Sequence, residues 1–209
     1  FHGKGNQMHI AEGILKPEVW GAGMLVTAAI AVPTIRKMSN EDIPKLSVMT
    51  SVFFVASLIS FPVPPTSVHL ILNGLVGVIL GWSAFPSILV ALVMQAFLFG
   101  HGGPTSLGVN GVILGTPALV SFAIFKYGSR WNFNNSDLIV GFLAGASATI
   151  LSGILLSLVL LTTGKGFLVL AQAALLAHLP IMIIEGAITG FVVRFLKRVK
   201  PELLPRIEE

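Results

Sequence analysis

Apolar residues in this chain come in long uninterrupted blocks, without the alternation of a half-buried strand or the three-to-four spacing of an amphipathic helix. Seven blocks can be drawn: Val19 to Ile35, Leu46 to Val63, Val68 to Gly81, Ala84 to Phe99, Leu107 to Phe125, Leu138 to Thr163 and Phe167 to Leu196. Uncharged runs of this kind read as membrane-spanning helices, since a helix rising about 1.5 Å per residue needs about 20 apolar residues to cross about 30 Å of hydrocarbon. The third and fourth blocks are short by that measure. Val68 to Phe99 reads as a pair of short or tilted helices joined at "GWSAFP", giving seven spans, with six as the alternative. The expected fold is an all-α integral membrane protein, a bundle of about seven transmembrane helices.

Composition agrees and charge adds direction. Of 209 residues 54% are hydrophobic and 11% charged, with a mean hydropathy of +0.89; soluble domains carry about 25% charged residues. With the N-terminus outside, the inner segments hold Arg36, Lys37, Lys45, Lys126, Arg130, Arg194, Lys197, Arg198, Lys200 and Arg206, and the outer ones only Lys4, Lys16 and Lys165. The opposite orientation inverts the cytoplasmic bias of Lys and Arg. The expectation is therefore an outer N-terminus, a single transmembrane domain over residues 8–200 and a cytoplasmic tail over 201–209. The net charge of +4 reads as loop placement and not as a nucleic-acid footprint. This orientation collects His9, His69 and His101 at the outer face. No basic-then-apolar segment with a small-residue cleavage site precedes Met8, so no cleavable signal is expected.

The chain has no cysteine, so a metal must be held by nitrogen or oxygen donors. "MHIAEG", residues 8 to 13, offers such a set. With Met8 as the first residue, its α-amine and the backbone nitrogen of His9 close a five-membered chelate ring. That same nitrogen and the His9 imidazole Nδ1 close a six-membered one. Such donors suit Ni(II) or Cu(II) in a square plane, and Co(II) less strictly. A fourth donor is needed, and an imidazole from another helix would supply it. The ordinary alternative is a histidine near a methionine by chance. Glu12, for its part, can complement the positive end of the first helix dipole, and Gly13 can permit a turn.

"MHIAEGIL" with "PEVW", "TSVHLILNGLVGVILG", "LFGHGGPTSLGVN" and "AHLPIMIIEGAITGFVVRFLKRVKPE" together resemble the CbiM/NikM family, the cobalt- and nickel-binding S components of energy-coupling-factor transporters. The likeness runs from Met8 to about Glu202, with four blocks in the family's order. It implies a metal held by the Met8 amine, the His9 amide and imidazole, and His69. It also implies an N-terminal segment plugged into a seven-helix bundle from outside, in the plasma (inner) membrane of a prokaryote. The transported ion is substrate, and no cofactor is implied. The implied partners are a membrane-embedded T component, cytoplasmic ATPase subunits and a small accessory membrane protein. The seven residues "FHGKGNQ" before Met8 depart from the pattern and are expected to be a remnant of recombinant expression.

Other residues carry two readings each. His69 and Asn73, four apart, are expected on one helix face, with Asn73 a polar partner of the site; without the resemblance, His69 reads as an interfacial histidine on loop carbonyls. His101 lies among Gly100, Gly102, Gly103 and Pro104 in a loop that can orient His9 or cover the site, with Asn110 satisfying its carbonyls. His178 and Glu185 form either a polar connection toward the inner side or a structural pair, and Pro180 is expected to kink their helix. Gly23, Thr27 and Ala31 form a small-residue stripe proposed to dock the T component, while the pairs Gly77/Gly81, Gly111/Gly115, Gly141/Gly145 and Gly186/Gly190 serve internal packing.

The chain contains no G-x-x-x-x-G-K-[ST], H-E-x-x-H or G-x-S-x-G, so nothing points to an enzyme acting alone. The expected function is a substrate-binding subunit that captures Ni(II) or Co(II) from outside. The alternatives are a self-sufficient proton-coupled metal transporter or channel, and an intramembrane Zn(II) enzyme. Because an extension converts the Met8 amine into a poor amide donor, Ni(II) titration should give tight binding only after residues 1–7 are removed. Equal affinity with and without them refutes the chelate.

Overall fold

The computed structural model describes Ile10, Gly13, residues 15–63 and residues 66–205. Among the described residues, seven α-helices follow one another: α1 (Pro17–Arg36), α2 (Ile43–Ala56), α3 (Asn73–Leu80), α4 (Ala84–Phe99), α5 (Pro104–Gly128), α6 (Ser136–Thr163) and α7 (Leu168–Val199). Between α2 and α3 lies a two-stranded antiparallel hairpin, β1 (Ser60–Val63) and β2 (Thr66–His69), with Ser60 opposite His69. By length and composition, five helical stretches can cross a membrane: α1, the 27 residues Asn73–Phe99, α5, α6 and α7.

Two expected blocks differ. Leu46 to Val63 is not a spanning helix, because α2 stops at Ala56 after 14 residues, about 21 Å at the helical rise. "FPVPPTS" follows, and its prolines remove the donors a helix needs. The next block is helical only from Asn73, leaving His69 on a strand. His69 and Asn73 therefore do not share a helix face.

Asn73–Phe99 is bent back on itself. A straight 27-residue helix would measure about 40 Å. Yet the ring of His69, ahead of this stretch, and the ring of His101, just after it, have centroids 6.3 Å apart. The reversal falls at a 3₁₀ turn, Gly81–Ser83, where Gly81 takes φ +60°. Packing against α5 tracks the reversal. Along α3, Asn73 bonds to the Leu114 carbonyl, Gly77 abuts Ala118 and Gly81 abuts Phe122, so α3 runs parallel to α5. Along α4, Leu89 meets Gly111 and Phe85 meets Gly115, so α4 runs the other way. Asn73 is level with Leu114, about 15 Å along α5 from its first residue. Helix α3 thus begins about halfway into the bundle.

Glycines permit these approaches. Gly141 faces Gly190, and Gly145 lies against Thr189, where α6 and α7 run antiparallel. At the end of that pair, Lys197 in the last turn of α7 donates to Asp137 in the first turn of α6, each complementing its helix dipole. The α1 stripe also turns inward, correcting the docking role expected of it. A side chain on Gly23 would strike Val109, the Thr27 hydroxyl donates to the Gly108 carbonyl, and Ala31 is buried. The outward face of α1 is instead Leu25, Val26, Val32 and Ile35. Small residues here let α1 sit close to α5, the use such spacing has wherever lipid offers no hydrophobic drive.

These contacts set a contrast. A Cβ on Gly77 would run into the Ala118 carbonyl oxygen, whereas one on Gly21 meets nothing within 4 Å. Gly77→Ala should cost on the order of 1–3 kcal/mol through overpacking, while Gly21→Ala should be neutral or stabilising by about 0.5–1 kcal/mol. Thermal unfolding of both variants in detergent checks the difference.

Candidate metal-binding site

His69 ends β2 beside Ser57, which caps α2. Its Nδ1 lies 2.8 Å from the Ser57 carbonyl oxygen. A carbonyl only accepts, so Nδ1 carries the proton and donates, and the lone pair a metal requires resides on Nε2. Histidine ligands are commonly oriented through their second nitrogen in this way. Burial pushes the His69 pKa below its ordinary value; the Ser57 bond acts in the opposite sense, and the nearby His101 lowers it again. The neutral, ligand-competent ring is therefore the form at pH 7. It is lost only as pH falls through a value below the ordinary histidine range.

Ser57 is itself held. Its hydroxyl donates to the Phe54 carbonyl at 2.6 Å and accepts from Gln95 Nε2 at 2.7 Å. Gln95 is fully buried on α4, and its backbone carbonyl accepts from the His101 N–H at 3.3 Å. One side chain thus fastens the end of α2, which orients His69, to the end of α4, which leads into His101. The two imidazoles meet edge to face, and Phe99 lies 5.9 Å from the His101 ring.

The same end receives Ile10. Ile10 is 3% exposed. Its N–H donates to Asn110 Oδ1 at 3.3 Å, and its carbonyl accepts from Asn110 Nδ2 at 3.5 Å. Gly102, next to His101, takes φ +77°, and a Cβ there would stand 3.1 Å from Asn110 Nδ2 and 3.8 Å from the Ile10 carbonyl oxygen. A side chain on Gly102 would crowd Asn110 where it bonds Ile10. Met8, His9 and Glu12 lie outside the described residues, as do residues 1–7.

Asn73 goes elsewhere. Its Nδ2 donates to the Leu114 carbonyl and to Ser152 Oγ, joining α3 to α5 and α6 and leaving His69 to Ser57. Beside it is a cavity of about 10 Å³, room for about one water, lined by Ile71, Asn110, Ile113, Leu114, Ser152, Leu156 and His178. His178 is 1% exposed, has Nδ1 2.7 Å from the Ala174 carbonyl, and packs on Gly153. Helix α7 runs through Pro180 without interruption. Asn110, which bonds Ile10, and His178 therefore line one small cavity.

Ser57 and Gln95 are positioning residues that sequence reasoning passed over. Gln95 carried a signal, as the single amide in an otherwise apolar block from Ala84 to Phe99. Ser57 carried none, because its contribution is a backbone carbonyl.

The family model for the cobalt uptake substrate-specific transmembrane region matches residues 9–203. The chain belongs to the CbiM family. A relative from Haemophilus influenzae, named as a metal transport protein, is 36% identical over 203 residues, covering 96% of this chain and 98% of that one. A fused LarMN protein of Lactiplantibacillus plantarum, named for nickel transport, is 30% identical over 217 residues, covering 93% of this chain and 66% of that one. A crystal structure of a transition metal transporter superposes with a TM-score of 0.73 at 28% identity, covering 91% of this chain and 93% of that one. As a CbiM-family chain with several apolar helices, this is a multi-pass membrane protein of the cobalt and nickel transport S-component family.

If Asn110 holds the inserted segment, Asn110→Leu leaves the Ile10 N–H and carbonyl unpaired, each costing about 1–3 kcal/mol. Amide hydrogen exchange at residue 10 should accelerate by at least about tenfold, while exchange in the α6–α7 pair stays unchanged.

Proposed function

We propose that this chain is the substrate-specific component of an energy-coupling-factor importer and captures Ni(II) or Co(II) at the outer face of a prokaryotic plasma membrane. Met8 would supply its amine, His9 its backbone nitrogen and imidazole, and His69 Nε2 the fourth corner of the plane. His101 and Asn110 would hold the chelating segment against His69, with Glu12 complementing the first turn of α1.

One observation carries this reading. Asn110 grips both backbone polar groups of Ile10, the residue immediately after His9, beside the loop that bears His101, whose ring abuts His69. The chain is thereby led to the same end of the bundle as the oriented imidazole. The charge distribution supports that end as the outer one, because the Asp137–Lys197 end carries Lys126, Arg130, Arg194 and Arg198.

Energy for import would come from cytoplasmic ATPase subunits working through a membrane-embedded T component, with a small accessory membrane protein completing the complex. The chain's own sequence lacks a phosphate-cradling P-loop. Nickel and cobalt both suit a four-nitrogen set. Affinity should fall with acidification, because amine, amide and imidazole must all be free of competing protons.

The test is Ni(II) titration of the chain beginning at Met8, followed by visible absorption. A square-planar ligand-field band is expected, and His69→Ala should weaken binding by more than about a hundredfold, beyond the effect of losing an outer-shell partner. Unchanged affinity in His69→Ala overturns the ligand set. In proteoliposomes, uptake should require ATP and the partner subunits; uptake by the chain alone under a pH gradient identifies a self-sufficient transporter instead.

A further inference from the structure

The carboxylate of Glu185, far from His69 in sequence, is bonded to the backbone that leads down from that histidine. Glu185 lies on α7 and is 1% exposed. Its Oε1 accepts from the backbone N–H groups of Ile71 and Leu72, the latter at 3.1 Å. Its Oε2 accepts from the Thr149 hydroxyl at 2.7 Å. These two backbone donors immediately precede the first turn of α3, which begins halfway into the bundle. At that depth backbone donors must find partners within the protein, and an unsatisfied buried donor there costs several kcal/mol. Leu72 also takes φ 55°, the left-handed region that residues with a Cβ avoid. A conformation of that kind persists only where its surroundings over-determine it.

We infer that Glu185 is a positioning residue for metal capture: by gripping the Ile71 and Leu72 N–H groups it holds the left-handed break that keeps β2, and His69 with it, at the end of the bundle where His101 lies and Asn110 bonds Ile10. The inference rests on the metal-site reading above and adds a residue outside its ligand set. Ile71 and Leu72 are the second and third residues after His69, and Leu70 N–H is tied back to the Ile59 carbonyl at 3.0 Å. With the helix start pinned by α7 and the strand pinned at Ile59, the stretch between has little freedom left. His69 is presented already in place, so binding does not bear the cost of ordering it.

The geometry separates reach from charge. Gln at 185 keeps an acceptor oxygen at the same distance, and its amide can donate to Thr149. The Thr149 hydroxyl can turn its proton to the Gly145 carbonyl, 3.2 Å away. Asp keeps the charge but withdraws the carboxylate by one methylene.

Ni(II) titration of chains beginning at Met8 therefore compares the parent, Glu185→Gln, Glu185→Asp and His69→Ala. Glu185→Gln is expected to bind within about threefold of the parent, and Glu185→Asp to lose about tenfold or more, the scale of an outer-shell partner. The ligand-field band of saturated Glu185→Asp should match the parent's, since the donors are the same. Parent-like affinity in Glu185→Asp overturns the inference, and so does a loss in Glu185→Gln as large as in Glu185→Asp. If His69→Ala binds as tightly as the parent, the ligand set itself is wrong, whatever the Glu185 variants do.

Discussion

The N–H groups of Ile71 and Leu72 lie about halfway into an apolar bundle, where backbone donors must find partners within the protein. Glu185 supplies one partner to both, and Thr149 holds that carboxylate from α6. This interaction lets the chain enter the bundle as a strand, stop, and begin a helix at mid-depth. The α3–α4 reversal returns the chain to His101, and Gln95 then links α4 to Ser57.

Several buried polar side chains of this bundle act as joints. Asn73 joins α3 to α5 and α6, Asn110 joins α5 to the start of the chain, and Gln95 joins α4 to the end of α2. Each sits in surroundings where an unpaired amide is costly, so each restricts which segments can meet. Glycines determine how closely they meet. The two properties act together at Gly74, whose carbonyl accepts from Ser121 while its Cα side lies against Gly145.

Much of the fold's outline was readable along the chain. Uncharged blocks marked α1, α5, α6 and α7, and "GWSAFP" marked the reversal between α3 and α4. The candidate site was readable in part: the histidine-bearing blocks were evident, and His69 and His101 do meet. The misreadings share a cause. Leu46 to Val63 looked like a span because hydropathy ignores proline's missing donor, and Asn73 was assigned to the helix face of His69 because no local signal announced the left-handed Leu72. The Gly23–Thr27–Ala31 stripe was correctly seen as a close-packing surface, but its partner was α5 of the same chain.

The sequence by itself determined that this is a helical membrane chain whose histidine-bearing blocks offer nitrogen donors and no thiolate, because apolar block length and residue chemistry are local properties. Only the tertiary structure decided that Ser57 orients His69, that Asn110 clasps Ile10, and that Glu185 secures the start of α3. Those bonds join residues 12, 100 and 114 positions apart. Separations of that kind leave no periodicity to read, and the choice among several buried polar partners is made by how the helices pack.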